Sequence, residues 1–250
     1  MAWIQHYVWY FTRISGVMMM APVLGSTRAP RRIRLMLSIL LTLILAPLAP
    51  VASAMEMFSA AWWLMTVQQL VTGVAIGFVL MLAFEAVVMG GEIISYSMGL
   101  SFAQLADPVR GVSTPVVGQF LMVLATLLFL AMNGHLMLIE ILAQSFNNLP
   151  VDHAAMNMNH LGEILRWSGI IFSGGLRLAL PIMVALLLVN MAFGVLSRAT
   201  PSLNFQSVGF PISLLAGLLL LRYSIPSLQA VFADYLDEAW KVIAVLISAH

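Results

Sequence analysis

No cysteine occurs in the 250 residues, which excludes a disulfide frame, a thiolate metal site and a cysteine nucleophile. Charge is nearly as scarce. Asp, Glu, Lys and Arg make up 8% of the chain, against roughly 25% in soluble domains, and the formal net charge is +1. A set so sparse and balanced provides no basic stripe for a phosphate backbone, so nucleic acid is excluded as a partner. A P-loop, a dinucleotide-binding glycine fingerprint and an HExxH zinc pattern are also missing, and with them any visible means of driving work. An export signal would set its positive charge ahead of the apolar stretch, whereas Trp3, Gln5, His6, Tyr7 and Trp9 precede Arg13 here, so no cleavage is expected.

What is present is hydrocarbon. Hydrophobic residues make up 62% of the chain and the mean hydropathy is +1.00, the composition of an all-α integral membrane protein in contact with membrane lipid. Residues 7–24 form the first apolar run, with Arg13 inside it. Arg28, Arg31, Arg32 and Arg34 then crowd around Pro30 and mark a cytoplasmic side or a headgroup anchor. Residues 35–48 are apolar but short for a crossing, and Pro47 and Pro50 close them. Residues 57–84 are long enough to span, start at the interfacial anchors Trp62 and Trp63, and carry Gly73 and Gly77 as a small-residue face for close helix packing. Glu85 and Glu92 follow one heptad apart, a spacing that predicts buried ion pairing ahead of acid/base chemistry.

Downstream, residues 116–142 read as one long apolar helix, and residues 147–162 as a solvated loop or short surface helix. Arg177 interrupts the apolar run 167–196. A central arginine is penalised by roughly 2.5–3.5 kcal/mol on insertion scales, so it is expected to face protein and pair with Glu85, Glu92 or an acid of another subunit. A short run, 212–221, ends at Arg222 and Pro226. After it Leu228, Val231, Phe232, Tyr235, Leu236, Trp240 and Ile243 recur at helical spacing, an amphipathic tail expected in an interface or on a partner.

Two segments cannot be ordinary membrane helix. In residues 98–115, Pro108 and Pro115 remove backbone donors, and Gly99 and Gly111 loosen what remains. Irregular backbone at membrane depth survives only where protein buries it or where it lines an aqueous cavity, so the segment is a pore or gate element, or else an interfacial turn. Residues 198–211 form a second island of similar composition. Ser101 with His135 suggests a serine protease pair only weakly, and His135 has no ligand at i+3 or i+4, so no catalytic residue, metal site or cofactor is assigned.

The order and spacing of several short motifs are similar to those of the FliR family, flagellar type III export-gate proteins related to the injectisome T subunits. The resemblance spans most of the chain. It is carried by Ala21-Pro22-Val23-Leu24-Gly25 with Pro30 and the arginines, Gly73 with Gly77-Phe78, Gly91-Glu92, Met98-Gly99-Leu100 and Asp107-Pro108. It continues through Gly134-His135-Leu136, Ser145-Phe146 with Leu149-Pro150, Leu180-Pro181, and Arg198 to Pro201 with Leu203-Asn204. Gln69 stands where an acid is expected in many relatives, and Ser202 where Gln is frequent.

The resemblance implies a non-enzymatic subunit, present once in a gate with FliP and FliQ beside FlhB and FlhA, in the inner membrane at the flagellar basal body. Unfolded flagellar proteins would pass through it. The implied fold is a set of helical hairpins with kinked or broken helices built into a helical heteromeric complex. Residues 1–165 would be FliP-like and residues 166–250 a FliQ-like hairpin with the amphipathic C-terminal helix. A plug loop at about 106–119 would project into the channel, with Asp107, Pro108, Gly111 and Pro115 shaping it. Phe102, Val109, Val112, Val116 and Val117 would favour dewetting of the closed constriction. Arg13, Glu85, Glu92, Arg177 and Arg198 would find buried or inter-subunit partners. An injectisome gate subunit and a secondary transporter with broken helices are the competing readings.

Overall fold

The computed structural model describes residues 2–23, 30–50, 55–100, 116–153, 158–199 and 205–248. Among them every extended element is a helix: α1 (Ala2–Met20), α2 (Arg31–Leu45), α3 (Ala60–Ser97), α4 (Val116–Ala131), α5 (Gly134–Asn148), α6 (Met158–Ser168), α7 (Ile170–Ala199) and α8 (Phe205–Ile247). A chain this apolar must satisfy its peptide groups within each segment, and helices do so. Three stretches are long and apolar enough to cross a membrane, Ala60–Ser97, Asn159–Arg198 and Gly209–Ile247, and α4 with α5 makes a fourth if that bent pair is one span. Helix α2 is about 22 Å long at 1.5 Å per residue, too short to cross alone, and Pro47 sits in the 3₁₀ turn Ala46–Leu48 that follows it.

Three expectations are corrected. The run 116–142 is not one helix, because Asn133 adopts a left-handed conformation at φ 59° and Gly134 lies so close to the Phe129 ring that a Cβ would overlap it. Pro226 does not end the last helix. Both Pro211 and Pro226 lie inside the 43 residues of α8, as proline can in helices of this kind. The amphipathic tail packs largely inside this chain, with Leu228, Phe232, Tyr235, Leu236 and Ile243 buried and Val231 and Trp240 half-buried, so most of its apolar face is already occupied.

The chain divides into two compact units, one of Met1–Leu82, Phe129–Ser168 and Leu236–His250, the other of Ala83–Leu128 and Gly169–Tyr235. The first unit buries polar side chains within an otherwise apolar core and leaves many large apolar side chains exposed. Helix α1 buries Gln5, His6, Trp9, Tyr10 and Arg13 while Trp3, Ile4 and Met19 are exposed, and α2 buries Ser38 and Thr42 while Met36, Leu40 and Leu43 are exposed. This is the pattern of a lipid or subunit environment, where apolar burial gives no drive and polar groups turn inward to bond one another. His6 Nε2 donates to Ala46 O at 2.9 Å, Tyr10 Oη to Pro50 O at 2.9 Å and Gln5 Nε2 to Met55 O at 2.6 Å, so α1 holds down the chain that leaves α2. Gly73 meets the Arg13 carbonyl so closely that a Cβ could not be added, and a Cβ on Gly77 would lie 2.8 Å from Val17 O, which is how α3 approaches α1.

The second unit contains an antiparallel hairpin of α7 and α8. Its cross-pairs are nested in sequence: Ser213 Oγ to Asn190 Oδ1 at 2.6 Å, Arg177 Nη2 to Asp234 Oδ2 at 3.3 Å, and Tyr235 Oη to Gly174 O at 2.7 Å. Phe84 of α3 meets Phe232 edge to face, with ring centroids 5.0 Å apart.

Candidate channel segment and its supports

Phe102, Asp107, Pro108, Val109, Gly111, Val112 and Pro115 lie outside the described residues, as does Ser101. The described residues on either side of this segment are held by specific contacts. Helix α3 is stopped actively: Gly99 takes φ 79°, its N–H bonds Tyr96 O at 3.0 Å, and Leu100 N–H reaches back to Ser95 O at 3.2 Å. These are the paired bonds of a Schellman cap, which satisfy the last carbonyls of the helix and turn the chain off its axis.

At the other end Val116 and Val117 open α4, Val116 exposed and Val117 buried. The next residue, Gly118, presses on α3, where a Cβ added to Gly91 would come within 2.6 Å of Gly118 Cα. Gly90, on the adjoining position of α3, meets α7, with Gly175 O 3.1 Å from where its Cβ would be. The two glycines of α3 are therefore held between α4 and α7. Gly91 and Gly99 are about 12 Å apart along α3 and the turn that ends it, so the described residues on either side of 101–115 are both held at α3.

The second island is smaller than its sequence suggests. Arg198 and Ala199 end α7 and residues 205–211 already belong to α8, while residues 200–204 lie outside the described residues. The end of α3 lies against this hairpin: Met98 fills the space beside Gly217, and a cavity of about 240 Å³ is lined by Tyr96, Met98, Gly99, Asn190, Phe210 and Ser213. The described flank of the first island and the opening turns of α8 thus meet in one place, although more than a hundred residues separate them in the chain.

Among the charges, Arg13 has the most elaborate setting. It is fully buried, its Nε donating to Gln69 Oε1 at 2.7 Å, Nη1 to Ser145 O at 2.7 Å and Nη2 to Leu149 O at 2.9 Å. All these acceptors are neutral. The guanidinium also lies over the Phe146 ring, 4.6 Å from its centroid, and Phe146 stacks on Tyr10. Buried Leu149 and Val151 belong to this cradle, so the stretch after residue 147 is only partly solvated. Arg177 pairs with Asp234, not with either glutamate, and both partners are more than half exposed on this chain. Glu85 and Glu92 are half-buried, and Arg198 is exposed.

Several supporting residues escaped the sequence reading. Trp167 donates its indole N–H to Val79 O at 3.1 Å, and Tyr235 secures α7 at Gly174. The only available signal was an aromatic residue with a polar atom at an apolar helix position. Among the described residues no cluster of three or more His, Asp or Glu could hold a metal ion.

The sequence that builds these apolar helices matches a known class of protein. Residues 4–239 match the family described as bacterial export proteins, family 1. The chain is 38% identical to the flagellar biosynthetic protein FliR of Escherichia coli, over 99% of this chain and 95% of that protein. It is also 38% identical to the FliR protein of Pectobacterium carotovorum, over 98% and 94%, and 27% identical to that of Bacillus subtilis, over 84% and 82%. The chain belongs to the FliR family.

Proposed function

We propose that this chain is one subunit of the flagellar type III export gate in the bacterial inner membrane, forming and sealing the channel that unfolded flagellar proteins traverse. Its partners are FliP, FliQ and the FlhB and FlhA proteins of the export apparatus. The observation that carries the sealing role is the anchoring of one segment at both feet on α3, by the Gly99 cap and by the Gly91 contact with Gly118. A segment held that way can block a narrow conduit without detaching, and Pro108, Gly111 and Pro115 in its sequence disfavour the regular hydrogen bonding that would make it costly to displace. Phe102, Val109 and Val112 supply an apolar constriction that excludes water when closed. Asp107, Pro108, Gly111 and Pro115 shape the segment, and Val116 and Val117 form its helical foot. The antiparallel α7 and α8 pair supports a FliQ-like hairpin from residue 166 onward, with residues 1–165 FliP-like.

Shortening the chain within residues 106–114 tests the sealing role, because the cut spares buried Val117 and the Gly118 contact. The altered gate is expected to assemble at normal yield and to leak ions in a membrane conductance assay. Normal assembly with unchanged conductance would remove the plug from the mechanism.

A further inference from the structure

The outer surface of the first unit has a groove of about 520 Å³ between α1 and α2. One wall is an aromatic stripe, Trp3, Tyr7 and Phe11, at four-residue spacing on α1, and the other is Ile39 and Leu43 on α2. Thr42 in the lining is buried and donates its hydroxyl to Ser38 O at 2.7 Å, so it offers no donor to an occupant. Leu35 and Arg31 continue the four-residue spacing of Leu43 and Ile39 toward the start of α2, and Arg32 lies one heptad before Ile39. Arg31, Arg32 and Leu35 are all exposed, and the first turn of α2 holds no acid. The stripe from Arg31 to Leu43 is about 18 Å long.

A face that is cationic for its first turn and purely apolar thereafter fits a molecule with an anionic head and a long hydrocarbon tail. We propose that the α1/α2 groove binds an anionic phospholipid, its phosphate at Arg31 and Arg32 and one acyl chain along Leu35, Ile39 and Leu43. Guanidinium forks match phosphate oxygens in pairs. The aromatic stripe of α1 lies along Ile39 and Leu43, at the end of α2 away from the arginines, and gives the acyl chain a flat apolar wall. The inference needs only that the chain be embedded in a membrane and is independent of the export role.

The test uses the full chain, extracted in mild detergent, stripped of lipid and titrated with phosphatidylglycerol, phosphatidylcholine or glycerol phosphate, with bound lipid counted by native mass spectrometry. Phosphatidylglycerol is expected to bind more tightly than phosphatidylcholine. Arg31→Gln with Arg32→Gln should weaken phosphatidylglycerol roughly thirtyfold, from about fivefold of headgroup attraction per arginine, and leave phosphatidylcholine unchanged. Ile39→Trp, which fills the groove, should weaken both lipids; if it fails to fold, the arginine pair alone decides. Equal binding of the two lipids, no effect of the arginine pair, or full competition by glycerol phosphate would overturn the proposal. So would a photo-crosslinker at position 39 that labels a polypeptide in native membranes, since the groove would then be a protein interface.

Discussion

Arg13 is a permanent charge buried without a carboxylate among its hydrogen-bond acceptors, and the placement of Gln69 explains how the chain tolerates it. Bonds to a charged group contribute about 1.5–3 kcal/mol each, so Gln69→Leu should destabilise the purified chain by about 2 kcal/mol, read as a lower melting midpoint in detergent. Gln69→Glu should raise the midpoint, because an ionised acceptor makes a stronger bond to the same Nε. In an Arg13→Leu background the same Gln69→Glu change should turn destabilising, leaving a buried acid with no cation. If Gln69→Glu acted with the same sign in both backgrounds, Arg13 and Gln69 would not be coupled. The sequence held every part of this cradle. Arg13 sat in an apolar run, Gln69 stood out as a departure from relatives, and Ser145-Phe146 with Leu149 was a family motif. What sequence lacked was the knowledge that these pieces, up to 136 residues apart, face one another.

Among the elements, glycine separates positions that matter from positions that do not. A Cβ on Gly91 would push on the backbone of Gly118, and backbone cannot swing aside as a flexible side chain does. Gly91→Ala should therefore cost about 1–3 kcal/mol and loosen the start of α4, which hydrogen exchange at residues 117–121 would detect. Gly162 in α6 has nothing within 4 Å of its Cβ position, so Gly162→Ala should leave stability unchanged or raise it by about 0.4–1 kcal/mol. Equal effects at the two sites would show that the α3 and α4 contact is not close in solution. Helix breaks were read less well than helix faces. Asn133-Gly134 stops a helix by steric contact with Phe129, while Pro211 and Pro226 pass through one, because what surrounds each residue decides whether freed peptide groups are satisfied.

For the whole molecule, the exposure of the Arg177 and Asp234 pair has a consequence for assembly. An ion pair open to solvent contributes about 0–1 kcal/mol, so Arg177→Ala should barely move the melting midpoint of the isolated chain. Once the surface is covered by lipid or by another subunit the same pair is desolvated, and removing one partner then strands the other charge. Arg177→Ala is therefore expected to reduce recovery of the complete gate, and exchanging the pair through Arg177→Asp with Asp234→Arg should restore it. Recovery of the single variant at full yield would place the pair outside any subunit contact. Native mass spectrometry of the gate supplies the readout, and a single copy of this chain per assembly is the expected stoichiometry.

The amino-acid sequence by itself determined that the protein is helical and apolar, and it marked where the chain departs from a spanning helix. Those properties follow from composition and local backbone chemistry, which act within a few residues. It also determined the family, because ordered short motifs survive as text. Tertiary structure alone decided which charge meets which acceptor. Arg177 turned to Asp234 while two glutamates were available in sequence, and Arg13 settled on neutral groups. The reason is geometric: a hydrogen bond is made or lost within an ångström, and only the packing of glycine-lined helices sets distances that finely.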